Sequence, residues 1–192
     1  MQLTLYTAAC TGNAKNCLYP NQHTIMNSDD FKAVIRKDHV CAAYDNNYRS
    51  AKHFIAADCL VMDCDNDHSD TPADWATPDT IFSTFPEVAC VISYSRNHMK
   101  IKNGKAARPK FHVYFPITEI TDPDAYVACK KKILSMFPLF DDKALDAARF
   151  IFGTDSTEVL WNDGPRTIDQ FLNTEPDTIP EGKRNSTLSH FA

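Results

Sequence analysis

No apolar run in the 192 residues is long enough to cross a bilayer, and no basic N-terminal segment leads into an apolar one with a cleavage site. The expectation is therefore a cytoplasmic protein that does not engage membranes. Cys-x-x-Cys pairs are missing as well. The seven cysteines, an odd number, argue against both a disulfide framework and a zinc ribbon. A site made of Cys10, Cys17 and His23 would have to be forced, and ordinary reduced thiols fit better. Internal repeats and low-complexity stretches are absent. So is any excess of positive charge: the formal net charge of -5 argues against nucleic-acid binding by bulk electrostatics.

What is present is an uneven distribution of charge. Between Arg96 and Lys110 lie six basic residues and no acidic one: Arg96, Lys100, Lys102, Lys105, Arg108 and Lys110. Asp63 to Asp79 is acid-rich by contrast. At its start, the run Leu60-Val61-Met62-Asp63-Cys64-Asp65 delivers two carboxylates on a hydrophobic strand that no glycine or proline interrupts. Side chains alternate along a strand, so Asp63 and Asp65 share one face, about 7 Å apart, while Met62 and Cys64 enter the opposite layer. Two like charges at that spacing repel unless a cation lies between them, and oxygen ligands suit a divalent metal. Solvated acids at a strand end are the plainer alternative.

The rest of the chain frames this strand. Leu3 to Tyr6 reads as a strand, and a polar irregular stretch follows through Pro20. Ser28 is a fair cap for a helix to about Lys37, and Val40 to Tyr44 is a further strand. Thr77-Pro78 opens a helix. Val88 to Ser95 and Lys110 to Phe115 then read as a hairpin with the basic loop at its tip. Asp122 and Pro123 start a helix whose apolar stripe is Tyr126, Cys129, Ile133, Leu134 and Phe137, with Lys130, Lys131 and Lys132 largely outside it. Glu158 to Trp161 is a late strand. With 43% hydrophobic residues the chain suffices for one sizeable core. The organisation expected is one domain over residues 1–175, with residues 176–192 as a linker and the start of a further helix.

Three elements now follow one another: an Asp-x-Asp strand, a basic hairpin returning through Lys110-Phe111-His112, and an acidic turn at Phe140-Asp141. This order resembles the catalytic core of the archaeo-eukaryotic primase superfamily, whose motifs are hydrophobic-Asp-x-Asp, small-or-basic-x-His and hydrophobic-Asp. The match runs from about Asp58 to Gly153. Asn66-Asp67-His68, Ser95-Arg96-Asn97-His98 and Arg108-Pro109-Lys110-Phe111-His112 look like primase-polymerases of phages and mobile elements. The second motif departs from serine in having Lys110 at its first position. Pro180 to Leu188 is similar to the opening of the small helical domain that often follows such cores. The chain would then be a fragment whose parent carries that domain and, beyond it, a helicase as a candidate partner.

The resemblance implies an α+β fold with a mixed, largely antiparallel sheet, an RNA-recognition-like core and an N-terminal α/β unit. Helices would cover one face, with the site open on the other. The implied activity is template-dependent nucleotidyl transfer, making or extending primers on single-stranded DNA from nucleoside triphosphates. The implied cofactors are two Mg2+ or Mn2+ ions on Asp63, Asp65 and a third acid. Asp141, Asp142 and Asp146 compete for that third place; Asp141 follows the motif, with Asp146 as the alternative. Ser93, Ser95, Arg108, Lys110 and His112 are expected at the nucleotide, His112 also among the catalytic residues. Arg96, Lys100, Lys102 and Arg149 are expected at nucleic acid, although Arg149 could instead pair with Asp146 one turn away. Two other classes stay open: a two-metal nuclease or phosphodiesterase, and a non-catalytic single-strand-binding module. A Toprim-type primase would place a glutamate on an earlier strand, and a rolling-circle nuclease would need a His-x-His, which this chain lacks.

Overall fold

In the computed structural model, residues 1–101 and 104–174 are described. Leu3–Thr7 (β1) pairs with Asn21–Ile25 (β2) and with His39–Val40 (β3), and β3 also takes Phe150–Ile151 (β8), so the first sheet has the order β2-β1-β3-β8. The second sheet sets Ala43–Tyr44 (β4), Phe54–Cys64 (β5), Phe111–Ile120 (β7), Cys90–Tyr94 (β6) and Val159–Asn162 (β9) side by side. Every ladder between these strands is antiparallel. The helices are Ser28–Val34 (α1), Pro78–Thr84 (α2), Pro123–Met136 (α3) and Ile168–Thr174 (α4). The fold is thus α+β, as the sequence implies. Among the described residues no helix is long and apolar enough to cross a membrane.

Alternation along the central strands sorts the two layers. Leu60, Met62 and Cys64 of β5 and Phe111, Val113 and Phe115 of β7 face a core completed by Ile81 and Phe85 of α2, Tyr126, Ile133 and Phe137 of α3, and Phe171 of α4. Cys59 and Val61 of β5, Tyr114 of β7 and Val91 of β6 point the other way, onto Leu3, Leu5, Ile25, Phe31 and Ile35 of the N-terminal unit. The second face is therefore partly roofed by that unit rather than left open. A Thr4–Asp58 contact joins the layers: the Thr4 amide and hydroxyl both donate to the Asp58 carboxylate, at 2.8 and 2.7 Å.

Several boundaries differ from expectation, each for a local reason. Asn27, not Ser28, caps α1: its side-chain oxygen takes the amides of Asp29 and Asp30, and the helix stops at Val34. β2 is a polar edge strand, mostly exposed, so it lacks the apolar alternation that would announce it. Val40 to Tyr44 is not one strand but the crossing between sheets, with β3 in the first and β4 in the second. Lys130 lies on the buried stripe of α3, fully buried, with its ammonium 2.7 Å from the Ala144 carbonyl. The segment after Asp141 is a single 3-10 turn over Asp142–Ala144, not the helix that pairing of Asp146 with Arg149 would need. Lys102 and residues 176–192, with the linker and helical start expected there, lie outside the described residues.

Candidate active site

Register across the second sheet builds the site. Asp63 of β5 is paired with His112 of β7, and His112 with Ser93 of β6. Neighbours directly opposite on antiparallel strands share a face. Asp63, His112 and Ser93 therefore form one row across three strands, on the face of Val61 and Tyr114 but just beyond the N-terminal roof. One step further out stand Asp65, just past the strand end, and Lys110. Ser95 donates its amide to the Lys110 carbonyl at 2.9 Å, prolonging the ladder by one rung. The sequence placed Asp63, Asp65, Lys110 and His112 on one face, and the structure brings them together.

The row is largely withdrawn from water. Asp63 is 4% exposed and Ser93 1% exposed. The Ser93 hydroxyl and the Asp63 Oδ1 are both buried without a hydrogen-bond partner. His112 Nε2 lies 4.0 Å from that same Oδ1. Burial pushes the His112 imidazole below its ordinary pKa, against the pull of Asp63 and Asp65. A buried carboxylate oxygen left unpartnered is costly. It is also what a site for a hard cation requires, and Asp63 with Asp65 supplies the oxygen donors that Mg2+ or Mn2+ prefers. Among the described residues, no three or more His, Cys, Asp or Glu side chains are gathered to hold a metal ion. Two basic side chains of the chain itself reach these carboxylates.

Arg149 is the first. Its guanidinium donates to Asp63 Oδ2, and not to the Asp146 carboxylate as the sequence allowed. Burial opposes its charge, but Asp63 outweighs that and holds the Arg149 pKa above its usual range. The segment carrying Arg149 is pinned from several sides. The Asp141 amide donates to the Asp63 carbonyl at 2.8 Å, Lys130 holds the Ala144 carbonyl, Tyr44 Oη donates to the Ala147 carbonyl and Arg49 to that of Ala148. Asp141 is thus brought by its backbone to the end of β5, while its carboxylate accepts the Lys143 amide. Asp142 and Asp146 are exposed, and Asp146 accepts the Ala148 amide.

Lys110 is the second cation, with its Nζ 3.1 Å from Asp67 and 3.5 Å from Asp65. Burial pushes the Asp67 carboxyl up, but Lys110, Lys105 and Arg108 together bring it below its usual value. Arg108 departs most from expectation. It is fully buried and clamps the turn after β5, donating to the carbonyls of Asn66, Ser69 and Ala106 and to the Asp70 carboxylate. Its guanidinium is thus engaged by the turn, while the residue also lines the pocket described below. Asn66, in the left-handed region at φ 53°, fixes the same turn through the Ala76 and Pro109 carbonyls and the Ala76 amide. An asparagine directly after Asp-x-Asp is the signal for that turn. Lys100 and Lys105 line a pocket of about 80 Å³ with Asp65, Asp67, Arg108 and Lys110. Arg96 lies apart from it, stacked 3.5 Å over the Phe152 ring.

No protein-family model matches the chain, and no curated protein sequence matches it. Among solved structures it is similar to the AEP domain of the cyanophage S-2L primase-polymerase. That likeness has 10% sequence identity and a TM-score of 0.49, over 91% of this chain and 89% of that one.

Proposed function

We propose that this chain is a template-dependent nucleotidyltransferase that makes or extends primers on single-stranded DNA from nucleoside triphosphates. The observation that carries the proposal is the buried, unpartnered Oδ1 of Asp63, in register with His112 and one step from Asp65 and Lys110, beside a lysine-lined pocket. The order of the three motifs along the chain supports the same reading. Asp63 and Asp65, with Asp141 as the third acid, are the residues proposed to hold two Mg2+ or Mn2+ ions. Such ions, when bound, activate a hydroxyl nucleophile and offset charge on the transferring phosphoryl group.

The chain's own residues then have distinct tasks. Lys110 stands at the pocket rim, shared between Asp65 and Asp67, and can exchange one of them for a phosphate oxygen. Lys100 and Lys105 add positive charge to the same pocket. His112 is disfavoured as a cation by burial, so it offers one N–H and one lone pair and orients a polar group without adding charge. The Ser93 hydroxyl lies buried in the same row, and Ser95 marks its outer edge. Arg96, Lys100 and Lys102 are the proposed contacts to the template strand.

The test is incubation with a single-stranded template, labelled nucleotides and Mn2+. Template-dependent lengthening, lost in Asp63→Asn and Asp65→Asn, is expected. Shortening of the template would favour a two-metal nuclease instead, and binding with neither outcome would favour a non-catalytic single-strand-binding module.

A further inference from the structure

Two arginines near β5, Arg108 buried and Arg149 partly exposed, are held in opposite ways. Arg108 makes four hydrogen bonds, three of them to backbone carbonyls, and its side chain is 1% exposed. Nothing short of unfolding the turn frees it. Arg149 has one hydrogen bond from its guanidinium among the described residues, to Asp63, and its Nε is buried without a partner. Its side chain is 33% exposed, whereas that of Asp63 is 5% exposed. The arginine has a way out and the aspartate does not. The backbone around Arg149 is fixed by the bonds from Tyr44, Arg49 and Lys130, so only the side chain needs to move.

Resting on the function proposed above, we infer that Arg149 is a built-in counter-ion of this site: it neutralises Asp63 until a divalent cation arrives, and it then yields the carboxylate to that cation. A guanidinium and a divalent ion cannot share one buried carboxylate without close repulsion of like charge. Asp63 nonetheless needs a cation at all times, because an ionised carboxylate at that depth is costly alone. The exchange also makes the occupied site conditional on metal concentration, since the ion pair competes with the metal for the same oxygens.

Mn2+ binding without nucleotide, followed by calorimetry and by the electron paramagnetic resonance of free Mn2+, tests this on wild type, Arg149→Gln and Asp63→Asn. Removing a charged hydrogen bond that the metal must break is expected to tighten Mn2+ binding by about tenfold in Arg149→Gln. Binding should weaken in Asp63→Asn. Should Arg149→Gln fail to fold, the wild type still decides: the side-chain nitrogen resonance of Arg149 should move on titration with Mg2+, and should not move in Asp63→Asn. Equal affinity in wild type and Arg149→Gln, or an unmoved Arg149 resonance while metal binds, overturns the counter-ion role and leaves the metal site standing. Failure of all three proteins to bind Mn2+ overturns the metal site itself.

Discussion

Asp63 and Asp65 are two residues apart and would repel each other, yet the fold gives each its own cation, Arg149 for one and Lys110 for the other. The consequence for mutation runs against simple repulsion. Asp63→Ala relieves no strain; it removes the one hydrogen-bond partner of the Arg149 guanidinium among the described residues and opens a buried gap beside His112. A loss of about 1–3 kcal/mol is expected, read as a lower urea midpoint with an unchanged denaturant slope. Asp65→Ala at the rim should cost less than about 1 kcal/mol, because Lys110 keeps Asp67. Both should abolish nucleotide incorporation. A pair of variants equal in stability loss would contradict this division.

At the scale of elements, α3 does more than cover the sheet. Lys130 sits four residues after Tyr126 on its buried face, and its ammonium ties α3 to the Ala144 carbonyl in the segment that delivers Arg149. Burial lowers its pKa to about 8 from an ordinary value of 10.5. Between those two values the unfolded chain holds a proton that the folded one has lost, so this lysine's contribution to stability rises with pH across that window. Other buried groups titrate there too, so the check is the stability difference between wild type and Lys130→Met. That difference should shift toward wild type by up to roughly 3 kcal/mol between pH 8 and 10.5. A flat difference would mean that Lys130 does not titrate as its burial demands. From the sequence, Lys130 is expected, with Lys131 and Lys132, largely outside the apolar stripe, because its charge argues for solvent; the structure buries it. β5, the β6–β7 hairpin and the start of α3 were legible because period-two alternation and an Asp-Pro cap are local signals. β2 was not, since an exposed edge strand of Asn, Gln, His and Thr carries no apolar period. Nor was the Arg149–Asp63 ion pair, which joins residues far apart in sequence.

For the whole molecule, the N-terminal unit is part of the site's scaffold. After Arg149 the chain enters β8 and returns to the first sheet beside β3. There the buried Asp38 carboxylate accepts the amides of Gly153 and Asn13, and the Thr154 amide donates to the Ile35 carbonyl. A Cβ at Gly153 would lie 2.3 Å from the Arg36 carbonyl oxygen, which is backbone and cannot step aside. Gly153→Ala should therefore destabilise by about 1–3 kcal/mol. It should also loosen the Arg149–Asp63 pair, seen as a changed Arg149 side-chain resonance. Full stability in that variant would show that the seam is more pliable than its contacts imply.

The pairing of β3 with β8 joins His39 to Ile151 and Val40 to Phe150, residues far apart in sequence. Contacts of such long sequence separation form late, because the loop between them must be closed before they repay its entropy. During folding, the β5–β7 ladder can form while Asp63 still lacks Arg149. A chain emerging from a ribosome could complete its central sheet up to β7 and hold a bare carboxylate at the end of it. That carboxylate stays hydrated, and the row around it unsealed, until residues as far as Thr154 have been released.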